Sequence, residues 1–129
     1  MSLQAYERTQ NTTQSPRQVE YRLFGQVTGA LIEARDGGSK GKAFFEALDW
    51  NRRMWSTFSS DCGAKGNQLP DTLRAQIVSL AIWVTKYSSK VALGRADIQD
   101  LIDINKTIME GLAMQPAAPM PDRPAPPKL

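Results

Sequence analysis

The sequence predicts an all-α fold: a small single-domain bundle of about four main helices with a disordered C-terminal tail. Three observations lead there. Apolar residues recur at steps of three and four in four separate stretches, the spacing that places side chains on one helical face. Proline and glycine punctuate the joins between those stretches. No stretch alternates with period two between hairpin turns, so strands are not expected. With 129 residues the chain is long enough for one core but not two.

The first helix is expected over residues 15–35. Ser15 offers a capping hydroxyl, Pro16 suits the first helical position, and Gln18 can reach back to the cap. Gly37 and Gly38, after Asp36, permit the left-handed turn that ends a helix. The second helix is expected over residues 41–60. There Ala43, Phe44, Ala47, Leu48, Trp50, Met54, Trp55 and Phe58 fall within an arc of about 160° at 100° per residue. Glu46, Asp49, Arg52 and Arg53 lie opposite, and Asp49 can pair with Arg53 one turn on.

The third helix is expected over residues 70–93, with Pro70 in its first turn. Leu73, Ile77, Leu80, Val84, Tyr87 and Val91 form a single seam. Val78 and Ile82 make a second strip pointing nearly the opposite way. A helix apolar on two faces is either central to a bundle or half exposed to a partner, and the central position is preferred. The fourth helix is expected over residues 96–114, with Ile98, Leu101, Ile102, Ile104, Ile108, Met109 and Leu112 as its stripe. Gln99, Asp100, Asp103 and Glu110 face out, and the acidic groups of the first turn complement the helix dipole.

The chain therefore divides into an N-terminal segment at 1–14, a helical domain at 15–114 and a Pro/Ala-rich tail at 115–129. The tail holds six of the eight prolines and has almost nothing to bury. A disordered or polyproline-like extension is preferred over a recognition motif, although Pro116/Pro119 and Pro121/Pro124 both match the loose PxxP spacing.

Composition restricts the chemistry. There is no histidine, so the commonest general base and metal ligand is missing. The single cysteine, Cys62, sits in the Gly/Ser-containing stretch 59–66 and reads as a bystander thiol, since no histidine exists to activate it. No phosphate-cradling loop, metal-ligand spacing or nucleophile–base pair is present. The expectation is a protein that is not an enzyme, with no catalytic residue, metal, cofactor or small-molecule substrate. The formal charge of +3 is spread in mixed sign: 1–36 sums to zero, 37–94 to +4, 95–114 to −2 and the tail to +1. That is a solvated surface and not a phosphate-tracking stripe, so direct RNA binding is disfavoured. The longest apolar run, 80–84, is far too short to span a membrane, and the N-terminal stretch is polar. A cytoplasmic location is expected.

Three features carry functional weight. Asn51 and Asn105 lie near the middle of their apolar arcs, where an unpaired amide costs about 1–3 kcal/mol. A small internal polar network fixing helix register is preferred over a polar notch in a binding groove. Gly25 and Gly29 lie one turn apart inside the first helix, where each costs about 1 kcal/mol relative to alanine. They imply close approach by another helix, internal or docked. Tyr21 and Ile32 border them outside the main apolar face, so Tyr21, Gly25, Gly29 and Ile32 form a candidate partner face, with Val78 and Ile82 as a second wall. Trp50 and Trp55 interleave with Arg52 and Arg53, but the rings share the core arc while the arginines point away. Packing is therefore preferred over base stacking.

Several stretches together resemble one family: Ser15-Pro16-Arg17 with Glu20-Tyr21-Arg22-Leu23-Phe24, Gln26-Val27-Thr28, and Asp49-Trp50-Asn51-Arg52-Arg53. Asn67-Gln68-Leu69-Pro70, Ser79-Leu80-Ala81-Ile82-Trp83-Val84, and Ile104-Asn105 leading to Ile108-Met109-Glu110-Gly111-Leu112 continue the pattern. The chain resembles the flagellar biosynthesis regulator FlaF over residues 1–113, leaving out the tail. The resemblance implies a role in flagellar filament biogenesis, with flagellin and the regulator FlbT as partners and no catalytic residues. An export chaperone or adaptor for flagellin is the leading expectation. The alternatives are a post-transcriptional regulator acting with FlbT or RNA, and a structural component of flagellum assembly.

Overall fold

The computed structural model describes residues 16–64 and 69–114, and among these there are four helices and no strand. They are α1 (Pro16–Asp36), α2 (Lys42–Gly63), α3 (Asp71–Ala92) and α4 (Ile98–Ala113). The predicted Ser15 cap, the segment 1–14 and the tail lie outside the described residues.

The helices form a ring in chain order. α2 packs on α1 and α3, α1 packs on α4, and α3 meets α4 only lightly. Neighbours run antiparallel, as short connections require. On α1 and α4, Arg35 Nη1 donates to Gln99 Oε1 at 2.7 Å, while Gly25 sits opposite Met109. On α2 and α3, Arg74 Nε donates to the Cys62 carbonyl at 2.6 Å, fastening the start of one helix to the end of the other.

The helix ends follow from local chemistry. After α1, Gly38 takes φ 93°, and Ser39 N closes on Ala34 O at 2.9 Å. After α3, Gly94 takes φ 73° and Arg95 N reaches Lys90 O at 2.9 Å, a left-handed stop that glycine adopts at no steric cost. At the start of α4, the Asp97 side chain accepts from Gln99 N at 2.9 Å. Several boundaries differ from expectation, α4 for one beginning at Ile98 and not at residue 96. Pro70 caps α3 from outside rather than occupying its first turn, and α2 runs to Gly63, three residues past the predicted end. Cys62 is therefore a buried helical residue and not part of a loop. The serines and aspartate of residues 59–61 weaken the local helical signal, and the Arg74 bond supplies from another helix what the sequence lacks.

Phe24, Trp55 and Phe58 build the aromatic centre by edge-to-face contacts, with ring centroids 5.1–6.2 Å apart. Leu31, Ile77, Val84, Ile98, Leu101 and Ile102 complete a core fully closed to solvent. Through it runs a polar chain. Trp55 Nε1 donates to Asn105 Oδ1 at 2.8 Å, and Asn105 Nδ2 donates to Asn51 Oδ1 at 2.8 Å, with both asparagines 0% exposed. Asn51 Nδ2 and the nearly buried Ser88 hydroxyl make no hydrogen bond.

Three core expectations need correction. Trp50 is 38% exposed and Ala43 is exposed, because α2 buries a narrower strip than the predicted arc and both residues lie at its edge. Met109 is half-buried, lying across the α1–α4 border beneath Gly25. α3 is not central: one neighbour holds it firmly and another lightly, and Val78 and Ile82 remain exposed.

Two outcomes are expected. Asn105→Leu orphans both the Trp55 indole N–H and the Asn51 carbonyl, whereas Asn51→Leu orphans only the Asn105 amide and also removes an unpartnered nitrogen. Urea unfolding should show Asn105→Leu losing about 2–4 kcal/mol and Asn51→Leu distinctly less. Equal losses would contradict the direction of the chain. Separately, the Tyr87 hydroxyl donates to the Asp100 carboxylate, and chiefly this bond, with burial second, raises its pKa above 10.0. The stabilisation is then complete below the ordinary tyrosine range and fades as pH climbs through the raised value. The stability difference between the native chain and Tyr87→Phe should shrink at alkaline pH.

Candidate functional site

α1 presents three strips. Phe24, Val27, Thr28 and Leu31 face the core and are buried, and Thr28 Oγ1 returns its hydrogen bond to Phe24 O at 2.6 Å. On one side of that strip, toward α4, lie Tyr21, Gly25, Gly29 and Ile32. On the other side, toward α2, lie Val19, Leu23 and Ala30, with Gly37 in line just past the helix end.

The α4 side is partly filled. A Cβ on Gly25 would meet Met109 Cε at 3.5 Å, an ordinary contact, so this glycine already has an internal neighbour. A Cβ on Gly29 would meet nothing within 4 Å. Tyr21 is 42% exposed, whereas Ile32 packs against the core. Val78 and Ile82 lie on α3, which is not among the helices packed on α1. The structure does not bring the two predicted walls together.

The α2 side holds the larger recess. Ala30, Glu33 and Ala34 of α1, with Gly37 just after it, face Ala43, Glu46, Ala47, Trp50 and Arg53 of α2 across about 810 Å³, with Lys40 at the end. The cause is residue size. Two antiparallel helices that meet through alanine and glycine leave space along their outer edge that larger side chains would fill. Nearer the start of α1, a second recess of about 60 Å³ between Leu23 and Phe24 and Met54, Thr57 and Phe58 continues the same edge. Exposed Val19, Leu23 and Trp50 give this edge its apolar rim.

Its electrostatics are balanced. Glu33 and Glu46 stand against Lys40 and Arg53 around the recess. Arg52 and Arg53 both bond Asp49, at 2.9 and 3.0 Å, so the aromatic–arginine stretch offsets half of its positive charge in place. Among the described residues no group of acidic or cysteine side chains could hold a metal ion, and no helix is long and apolar enough to cross a membrane. What the edge can do chemically is bury an apolar face.

Sequence reasoning placed Trp50 in the core and so missed this groove. The signal was weak: Val19, Leu23, Ala30 and Gly37 keep heptad spacing beside the core strip, but Gln26 and Glu33 interrupt the apolar pattern between them. Among known proteins, the family described as flagellar protein FlaF matches residues 2–112. Neither a curated protein nor a solved structure matches the chain.

The two glycines give a direct test of the α4 side. Since open space faces Gly29, Gly29→Ala should stabilise the free protein by about 1 kcal/mol in denaturant unfolding. A loss of stability would mean that Gly29 serves internal packing.

Proposed function

The chain belongs to the FlaF family of flagellar proteins, and from that premise we propose that it is a cytoplasmic, non-enzymatic chaperone or adaptor that binds flagellin. It shields an amphipathic helical segment of flagellin before export, acting alongside the regulator FlbT. The observation that carries this reading is the outer groove between α1 and α2. Its two walls repeat at helical spacing, its floor is alanine and glycine, and its rim carries exposed Trp50, Val19 and Leu23. A third helix laid there meets small residues along its axis and apolar side chains at its edges, the helix-in-groove mode of peptide recognition. The mixed charges of Glu33, Lys40, Glu46 and Arg53 suit a partner helix with charges of both signs on its flanks.

Binding of purified flagellin tests this. Trp50→Ala should weaken it at least tenfold, about 1.4 kcal/mol, with little change in thermal unfolding because Trp50 lies outside the core. Moderate salt should have little effect. A steep loss of binding with salt, or with ribonuclease, would instead support the regulator reading through RNA. If Gly29→Leu abolishes binding while Trp50→Ala does not, the site is the α4 side of α1.

A further inference from the structure

We propose that the outer face of α3 pairs with the same face of a second copy of this chain, the two helices running antiparallel about a two-fold axis between Ser79 and Leu80. The inference is independent of the flagellin reading, whose groove lies between α1 and α2.

The shape of the face comes first. Ile82 is 56% exposed, the most exposed large apolar side chain within the described helices, and Val78 stands exposed one turn before it. Ala75, Val78, Ser79 and Ile82 follow at steps of three, one and three, so they share a face turned away from buried Ile77, Ala81 and Val84. Among the described helices, α3 has α2 on one flank and α4 only lightly on the other, which leaves this face uncovered. Its floor is low where its residues are small, since Ala75 and Ser79 border a shallow groove with Thr72, Gln76 and Leu80. A branched side chain therefore projects at one end and a depression lies at the other. Such a surface fits itself when reversed. Ile82 of each copy enters between Ala75, Val78 and Ser79 of the other, a knob in a hole repeated by the symmetry. That pairing fixes the axis between Ser79 and Leu80.

The charges give the same axis independently. Residues 75–85 carry no charged side chain, and that stretch is centred on Leu80. Asp71 precedes it, and Lys86 and Lys90 follow it, all exposed. Asp71 keeps only a loose 3.5 Å contact with Arg74, and its side chain is 99% exposed. Reversed about the axis, Asp71 of one copy falls level with residue 88 of the other, between Lys86 and Lys90. A parallel pair would instead set Asp71 on Asp71 and lysine on lysine. Arg74, the one cation at the acidic end, is drawn off the face, because its Nε donates to the Cys62 carbonyl of α2 at 2.6 Å. Opposite charges so placed select the antiparallel register and repel the parallel one. A contact along one helix pair is smaller than the ~800 Å² per partner of a standard interface, so the dimer is weak and concentration-dependent.

Sedimentation of the full chain from about 5 to about 500 μM, the range that suits so small an interface, tests the pairing. The native chain should pass from monomer to dimer. Ile82→Glu should stay monomeric throughout with thermal unfolding unchanged, since Ile82 lies outside the core. Two cysteine variants test the direction, and the native thiol of Cys62 is buried and stays out of the reaction. Under mild oxidation Ser79→Cys should yield a disulfide-linked dimer, because the two copies of position 79 meet beside the axis. Ser89→Cys should not, because its two copies lie ~28 Å apart along the helices at 1.5 Å per residue. A native chain that remains monomeric, or a dimer that survives Ile82→Glu, would overturn the proposal. Equal cross-linking of both cysteine variants would overturn the antiparallel arrangement.

Discussion

The Trp55–Asn105–Asn51 chain is the constraint on which the bundle depends. It is the only hydrogen-bonded link through the described core between α2 and α4, helices that stand across the ring from one another. Apolar packing alone tolerates rotation and sliding, because one methyl can replace another. Two amides and an indole at 0% exposure cannot slide, because each displaced bond leaves a buried polar group unpaired. Register is therefore set in the centre, and the flanks inherit it.

That inheritance decides which surfaces are left over. With α2 turned so that Asn51 and Trp55 face α4, Trp50 is carried to the outer edge beside α1. The alanines of both helices then face each other around a recess that no side chain of the described residues fills. The same rotation turns Arg52 and Arg53 outward onto Asp49. On the far side of the ring, α3 lacks a comparable tie to α4 beyond Tyr87–Asp100, and its outer face stays open. Two separate apolar surfaces thus follow from one buried arrangement.

Much of this was legible in the sequence. Periodicity identified all four helices, glycine marked the turn after α1, and the position of both asparagines in their apolar arcs identified them as interior amides. What could not be read was adjacency. Trp50 and Trp55 both fall in the predicted arc of α2, and only the position of α1 shows that one belongs to the edge and the other to the centre. Val78 and Ile82 read as a second wall for Gly25 and Gly29 because the order of helices around the ring is absent from a helical wheel. Cys62 fell beyond the expected end of α2 because the bond from Arg74 that supports the last turn of that helix comes from a different helix. Each miss is a tertiary contact overriding a local signal.

The central claim is that a partner helix enters between α1 and α2 while the amide-tied core stays closed. The indole spectrum of the native chain during titration with purified flagellin tests it most directly, since Trp50 lines the groove and Trp55 lies in the core. The account predicts that the Trp50 signal shifts and saturates with binding while Trp55 does not move. Saturable binding that leaves Trp50 in place, or that shifts Trp55 instead, would contradict it.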